Sequence, residues 1–431
     1  MKKIRKISSI ILAFTLLIGA VSVTELYAQS QIVIPTDVQN PSSDCSMLGI
    51  EGTYYAEIDK ALDRINEIRY EACKEGVIDP GTGLPLTLHD YVPIKWSSDL
   101  EYIARIRAAE ASVTMGHIRT NGESCFDIVS PNGVRSYGEV LAWNWSDGMI
   151  MGINQWYGEK GDWVKQNKNA VTGHYEIMIN PGYTYVGLAT FCTQSGTYYN
   201  STAGEFCGET GLDETHGTTE KNCIQLLEVK NSAITGKYTI NGRSKLKIGN
   251  SASLYVATDV SYAGGGGTGL YVVNPIWSSS DPTMVSVQSD GAVFGTVKAL
   301  SCGSASVIAS AGGREVKQTI DVEHKGSASV VKATTSKNGS IVNKCNNCGK
   351  IVRKQTIYRP KEVRLSHTSY KFNGKIHHPK VTVVDAAGKK ISSSNYTVTY
   401  SKGCKKKGTY KVTITFKGNY KGNIVKKFKI E

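Results

Sequence analysis

Apolar residues recur every three or four positions in three segments of the first half of the chain, which is the spacing of amphipathic helices. The first segment runs from Ile58 to Ala72, and a Gly- and Pro-rich loop at 76–85 ends it. The second begins near Ser98 with a Ser-x-x-Glu capping box, and the third covers about 147–160. The sequence therefore predicts three helices in this region.

Apolar and polar residues alternate over 174–179, and an apolar run covers 185–192. The Asn-Pro-Gly turn between these segments favours a hairpin of two strands. Helices combined with an antiparallel pair indicate an α+β domain, which we place at 54–228 together with a C-terminal extension.

Beyond residue 228 the pattern changes to short strands separated by turn residues, which is typical of β-sandwiches. We expect an all-β domain at 229–323, a linker at 324–357 and a second small all-β module at 358–431. The predicted strands are Lys245–Ile248, Ser253–Ala257, Met284–Val287, Ala305–Ser310, Thr319–Val322, Lys380–Val384, Tyr396–Tyr400, Thr409–Phe416 and Ile424–Ile430.

The start of the chain has the pattern of a cleavable secretory signal peptide, at 1–28. A basic start precedes an apolar run over 10–23, and the small residue Ala28 precedes Gln29. The run is shorter than the ~20 residues of a spanning helix, which disfavours the alternative of an uncleaved anchor. We therefore expect an exported protein without a membrane span after cleavage, and a polar leader at 29–53.

The positive charge lies in the last quarter of the chain. Residues 324–431 carry 25 Lys and Arg against 3 Asp and Glu, a formal charge of +22, whereas the other 323 residues carry 25 against 34, or −9. A basic surface of this density attracts anionic polymers, and export favours a cell-wall polymer or another extracellular ligand over nucleic acid. A solvated, soluble surface is the alternative interpretation.

Six of the ten cysteines fall between residues 45 and 223, and in an exported chain such a cluster predicts up to three disulfides. Buried free thiols are the alternative. The six residues are Cys45, Cys73, Cys125, Cys192, Cys207 and Cys223.

Four His and Glu residues of the first domain stand in distinctive local settings: Gly116-His117, Gly138-Glu139, Trp156-x-x-Glu159 and Gly173-His174. Two imidazoles and two carboxylates that converge would suit a divalent cation such as Zn²⁺, or general acid–base chemistry near neutral pH. Structural His and Glu with satisfied hydrogen bonds are the third interpretation. Signatures of zinc peptidases, serine hydrolases and phosphate-binding loops do not occur in the sequence.

The order of these motifs resembles the CAP superfamily of cysteine-rich secretory proteins, insect antigen 5 and plant pathogenesis-related proteins. The resemblance covers about residues 54–192 and also includes Asn66-x-x-Arg69, Trp96-x-x-x-Leu100 and Gly187. It implies a three-layer α–β–α sandwich with a large cleft. It departs at Val140, where family members usually carry Asn after Gly-Glu.

The resemblance implies that His117, Glu139, Glu159 and His174 line the cleft. Clefts of this family hold a divalent metal in some members and sterols or lipids in others, so the family names no reaction. We therefore expect a protein that binds a ligand or metal in the cleft. The alternative is a metal-assisted extracellular hydrolase, a peptidase or wall-polymer hydrolase in which Glu139 or Glu159 activates a water.

The two later modules resemble surface proteins of bacteria. Residues 229–323 resemble a group 2 bacterial Ig-like domain, through Trp277-Ser-Ser-Ser-Asp-Pro282 and the segment 303–307. Residues 358–431 resemble a repeat unit of Gram-positive surface proteins, through Gly408-Thr-Tyr410 and the segment 418–422. The resemblances imply spacer or adhesive units that keep the protein at the cell wall.

A second candidate metal site lies in the linker, where Cys345-x-x-Cys348-Gly is half of a zinc-ribbon pattern. His324 lies upstream of this knuckle and is the expected third ligand, while His367 is a fourth candidate by proximity only. A disulfide between the two cysteines, or free thiols, are the alternatives. The sequence indicates no partner for Cys302.

Overall fold

The computed structural model describes residues 32–145, 148–262 and 268–431, so the predicted signal peptide at 1–28 lies outside the described residues. Within these ranges no helix has both the length and the apolar character needed to cross a bilayer. The protein is multidomain, with few helices and many strands, consistent with a CAP-type domain followed by all-β units. The α-helices of the described residues are α1 (Ile58–Glu75), α2 (Ser98–Ala111), α3 (Met149–Tyr157), α4 (Lys160–Val164) and α5 (Gly173–Ile179).

The predicted helices are present, with small changes at their ends. α1 ends at Gly76, whose φ of 66° is the left-handed conformation that favours glycine at a helix end. The cap of α2 is Ser97, whose side chain accepts a hydrogen bond from the backbone N–H of Leu100. The third predicted helix is divided into α3 and α4.

The strand predicted at 174–179 is wrong, because this segment forms α5. Its buried residues Tyr175, Met178 and Ile179 have helical spacing, and the Glu159 carboxylate accepts hydrogen bonds from the first N–H groups of the helix. The predicted hairpin is therefore absent, and the strand at 185–192 pairs with other strands.

The first domain contains seven strands: β1 (Ile32–Ile34), β2 (Cys45–Tyr55), β3 (Lys95–Trp96), β4 (Gly138–Asn144), β5 (Tyr185–Cys192), β6 (Asn200–Cys207) and β7 (Glu220–Lys230). The predicted leader at 29–53 is thus not a leader, since it supplies β1 and β2 to the main sheet. Strand β2 pairs with β7 along one edge, and with β5 near Tyr54 on the other.

The helices pack on both faces of this sheet. Val140, Val186 and Phe206 belong to an apolar cluster with α1, α3 and α5. The neighbouring positions point the opposite way, and Tyr185 and Cys207 pack against α2. Gly187 permits this contact, because a Cβ atom there would lie 2.0 Å from the backbone nitrogen of Glu101.

The next region contains nine strands: β8 (Thr239–Gly242), β9 (Lys245–Leu246), β10 (Ser251–Val260), β11 (Thr268–Val272), β12 (Ile276–Ser279), β13 (Val285–Asp290), β14 (Phe294–Ala299), β15 (Gly303–Ala311) and β16 (Arg314–Val322). They form two sheets around a shared apolar core. One of these sheets is continuous with the sheet of the first domain, because β11 pairs with β2 at Gly49 and Leu48.

The C-terminal region contains the last nine strands: β17 (Gly326–Val331), β18 (Gly339–Cys345), β19 (Ile351–Ile357), β20 (Pro360–Leu365), β21 (Ser369–Tyr370), β22 (Val381–Asp385), β23 (Tyr396–Tyr400), β24 (Gly408–Phe416) and β25 (Asn423–Ile430). β17–β19 form a small separate sheet, and β21, β25, β24 and β23 form another. Every strand predicted beyond residue 228 overlaps an observed one.

The predicted disulfides are not formed, since no two of the ten cysteines, all of which lie within the described ranges, are bridged. The fold explains part of this result. Cys73 packs with α1, α3 and α5 on one face of the sheet, whereas Cys207 packs with α2 on the other. The sheet itself separates such cysteines, and the alternative of buried thiols describes the first domain better.

Substituting Gly52→Ala should destabilise the first domain by about 1–3 kcal/mol, because the added Cβ would lie 2.3 Å from the Phe191 ring and 2.6 Å from the Cys192 carbonyl oxygen. Calorimetric unfolding would measure the loss. Gly161→Ala is the matched control, because its Cβ would meet no atom within 4 Å. Equal stability of the two variants would contradict the close packing of β2 on β5.

Candidate functional site

The four residues of the cleft prediction form two His–Glu pairs. His117 Nδ1 lies 2.6 Å from Glu139 Oε1, and His174 Nδ1 lies 2.5 Å from Glu159 Oε1. The centroids of the two imidazole rings lie 6.5 Å apart, and the ring planes are tilted by 35°. The structure therefore brings together all four residues that the sequence motifs singled out.

The two pairs reach this point from opposite faces of the main sheet. β4 is the edge strand beside β6 in the order β5–β6–β4, and Glu139 is the second residue of β4. Because side chains alternate along a strand, Glu139 shares its face with Leu141, which packs with α2 residues. Glu159 and His174 come from the helices of the other face, so the pairs meet at the β4 edge.

The pair on the helical side is fixed by backbone contacts. The Glu159 Oε2 atom accepts hydrogen bonds from the backbone N–H groups of His174, at 3.0 Å, and Tyr175, at 3.2 Å. Trp156, one turn before Glu159, is buried and donates its indole N–H to the Leu141 carbonyl at 2.9 Å. The Trp-x-x-Glu motif thus anchors α3 to β4 and carries the carboxylate to His174.

The other pair is fixed by a buried arginine that the sequence analysis missed. Arg107 on α2 donates from Nε to Glu139 Oε2 at 2.5 Å and from Nη2 to Glu139 Oε1 at 3.2 Å. It also donates to the Gly116 carbonyl at 3.0 Å, next to His117. Burial alone would raise the pKa of Glu139, but Arg107 and His117 lower it to about 2. Glu139 is therefore ionised at neutral pH.

The same network continues away from the cleft. Arg107 also pairs with Glu110 at 2.5 Å, Glu110 accepts from Arg119 at 3.0 Å, and Arg119 pairs with Asp37 at 2.7 Å. The sequence contains one indication that Arg107 is buried. This charged residue lies three positions after Ala104 and four before Ala111, on the apolar face of α2.

Two further buried groups lie next to Glu139. Glu205 is directly opposite it in the β4–β6 pair, and neither Glu205 oxygen accepts a hydrogen bond from the described residues. Burial and the neighbouring Glu139 raise the pKa of Glu205 well above its usual range, which favours its protonated form, and a protonated carboxyl group can donate to Glu139. Burial and Glu139 likewise raise the pKa of Cys125 to about 12.

The geometry defines what the two pairs can do chemically. A carboxylate bound at Nδ1 of each histidine leaves Nε2 as the nitrogen for an external partner, which is the usual arrangement behind a metal-bound imidazole. The carboxylate oxygens already accept hydrogen bonds from arginine, histidine or backbone groups. The glutamates therefore fit an orienting role, and the two imidazoles fit a ligand role. A ring nitrogen of His117, Cys125 Sγ and a carboxylate oxygen of Glu139 also lie within 4.8 Å of one another.

A separate cavity of about 460 Å³ is lined by residues of the N-terminal segment 35–47 and of the all-β region that follows the first domain. Pro35, Tyr238 and Val272 are among its lining residues, and none of the four cleft residues lines it. The chemistry of the cleft therefore does not coincide with this cavity.

Residues 62–206 match the family model of CAP, the cysteine-rich secretory protein family. The match supports the CAP superfamily for this part of the chain, about a third of its length. It includes His117, Glu139, Glu159 and His174. The chain has no match among the curated proteins.

Solved structures resemble the protein only weakly. Domains 5–6 of the S-layer protein SbsC have a TM-score of 0.17 and 14% identity, covering 45% of this chain and 96% of that chain. Extracellular domains 3–5 of Drosophila OTK have a TM-score of 0.14 and 13% identity, covering 53% and 73%. Similarity this weak does not identify the fold of the two later modules, and their resemblance to bacterial surface proteins stays a prediction.

The variant Glu205→Gln should change the pH dependence of stability. When folding raises the pKa of an acid, its protonated form contributes to the free energy of unfolding. This contribution is complete below the unfolded pKa of about 4.3 and is lost as the pH rises through the folded pKa. Relative to Glu205→Gln, the wild-type protein should lose about 1.4 kcal/mol per pH unit in that window. Urea unfolding at pH 5 and pH 8 would measure this, with exposed Glu209→Gln as control. Parallel pH profiles for wild type and Glu205→Gln would contradict a neutral buried Glu205.

Proposed function

We propose that the protein is a secreted or surface CAP-type protein that binds a divalent cation, or a ligand held by one, between His117 and His174. The family match suggests a secreted or extracellular protein. The observation that carries the proposal is the pair of imidazole rings with centroids 6.5 Å apart, each held by a glutamate. The basic C-terminal module would retain the protein at an anionic cell wall.

The arrangement supports binding because it prepares both histidines for a metal. A carboxylate that accepts from Nδ1–H fixes the neutral tautomer whose Nε2 lone pair can bind a cation. Two imidazole nitrogens suit Zn²⁺ and related ions, and the remaining positions would be filled by water or by the ligand. When bound, the cation would supply positive charge to an anionic or carbonyl-bearing ligand.

The same contacts favour a binding protein over a metal-assisted hydrolase. A general base works best with a pKa near the operating pH, whereas the pKa of Glu139 is lowered to about 2. Glu159 uses both oxygens to hold His174 and the start of α5. Neither glutamate is arranged to take a proton from a water.

Alanine at either histidine should reduce zinc binding in the cleft by at least about 10–100-fold, since one of two imidazole ligands is removed. Zinc titration calorimetry on the full chain would measure it for His117→Ala and His174→Ala. His89→Ala is the control, because His89 is exposed and outside the cleft. Unchanged zinc stoichiometry and affinity in the double variant His117→Ala/His174→Ala would overturn the proposed cation site.

Wall retention is supported by the outer face of the sheet β21–β25–β24–β23. Lys411 lies directly opposite Lys427 in the β24–β25 pair, and Lys429 lies two residues further along the same face. Like charges in directly opposed positions destabilise a sheet. The opposite face is apolar and packed, whereas Lys411 and Lys427 are exposed to an external anionic partner that would offset their repulsion. Lys429 also lies 3.8 Å from Glu431.

Binding of the protein to isolated cell walls should fall steeply between low and high salt, because exposed charges are screened beyond about 8 Å at physiological ionic strength. Changing Lys411, Lys427 and Lys429 together to Gln should weaken binding at low salt, whereas changing them to Arg should preserve it. A wall-pelleting assay would measure both variants. Equal binding of the Gln and Arg variants would remove this face from the proposal.

A further inference from the structure

A second cluster of metal-ligating side chains lies where the Ig-like region meets the C-terminal region. Its members are Cys302, His324, Cys345 and Cys348, and one ligand atom of each lies within 4.8 Å of the others. Cys302 Sγ is 3.4 Å from Cys345 Sγ, and Cys348 Sγ is 3.4 Å from His324 Nδ1.

The cluster completes the half site that the sequence indicated. His367, the fourth ligand suggested by proximity, is not part of it and contacts Ser366 and Tyr370 instead. The fourth member is Cys302, which precedes β15 and lies 43 residues before Cys345. Sequence spacing could not find it, because only the packing of two sheets brings these thiols together.

We propose that Cys302, His324, Cys345 and Cys348 bind one structural Zn²⁺ ion that joins the Ig-like region to the small sheet β17–β18–β19. Three thiolates and one imidazole are a common ligand set of closed tetrahedral zinc sites. Zn–S bonds of about 2.3 Å place ligand atoms about 3.8 Å apart, close to the observed separations. The site is separate from the histidine cleft and does not depend on the proposed function.

The backbone around the cluster holds the ligands in place. The N–H of Gly349 donates to the Cys345 carbonyl at 3.0 Å, which closes the turn that carries Cys348. Gly349 has a φ of 72°, a conformation that favours glycine after such a turn. Asn346 N–H donates to the Lys325 carbonyl at 3.0 Å, which keeps this turn beside His324.

The small sheet has little apolar core to hold it in place without such a link. All six residues of β17 and the first six of β19 are exposed. Apolar side chains such as Val331 and Ile351 are among them, at 63% and 51% exposure. Sheets of this size usually need a core, a disulfide or a metal to be stable, and the cluster lies at one end of this sheet.

The other end of the sheet is joined to the basic module by backbone hydrogen bonds. Ala333 donates to the Asn419 carbonyl at 3.0 Å and accepts from Lys421 at 2.9 Å. The metal would therefore complete a series of fixed junctions from the Ig-like region to the basic face. Its removal should leave residues 324–357 attached at one end only.

Metal analysis of the full chain would test the site. When purified under reducing conditions, the Cys302→Ser variant should contain one zinc ion per molecule fewer than the wild-type chain. The Cys404→Ser variant should contain as much zinc as wild type, since Cys404 is a buried thiol outside the cluster. The loss should also occur in the background His117→Ala/His174→Ala, which separates this site from the cleft. Zinc content unaffected by Cys302→Ser would overturn the proposal.

Cobalt binding can be measured on the wild-type chain, so this test does not require any variant to fold. Co²⁺ added to the metal-free wild-type chain should give a thiolate charge-transfer absorption and the visible bands of a tetrahedral ion, and Zn²⁺ should displace both. Limited proteolysis should cut within 324–357 faster in the metal-free chain. A native Cys302–Cys345 disulfide detected by mass spectrometry, or the absence of the thiolate bands, would overturn the zinc site.

Discussion

The pairing of strand β2 with three other strands is the constraint on which the rest of the structure depends. Over Cys45–Tyr55 it hydrogen-bonds to β7 on one edge and to β5 and β11 on the other. The sheet that carries Glu139 and the sheet of the next region that contains β11 are therefore one continuous sheet. Glycine occurs at residues 49 and 52 of β2, because a Cβ atom at either position would lie 2.7 Å or less from atoms of a neighbouring strand.

This constraint also explains which parts of the fold the sequence could predict. Strands such as β23 and β24 alternate buried and exposed residues and pair with a neighbour in sequence, so their pattern was sufficient. β2 has polar residues and glycines among its apolar ones, and its partner β7 begins more than 160 residues later. The strand predicted at 174–179 was wrong because a distant carboxylate, Glu159, stabilises the first turn of a helix.

The candidate site shows the same division between local motifs and distant contacts. Short motifs identified His117, Glu139, Glu159 and His174, and two of these motifs contain a residue with a packing role, Gly138 before Glu139 and Trp156 before Glu159. Arg107, Glu110 and Glu205 carry no motif, yet they determine the charge around Glu139. A buried ion pair is costly to desolvate and is stable only when all of its hydrogen bonds are made. The charge network therefore specifies one arrangement of α2 on β4, which keeps His117 opposite His174.

The two clusters of ligating residues differ in how they relate to the fold. His117 and His174 are oriented by glutamates from within one domain, so their arrangement does not require a bound cation. The cysteine cluster draws its members from loops and strand ends of two different sheets, and three thiols with one imidazole leave no open position. Open coordination suits an exchangeable ligand, whereas closed coordination suits a structural link. The same class of ion would thus serve recognition in one part of the chain and the attachment of the basic module in another.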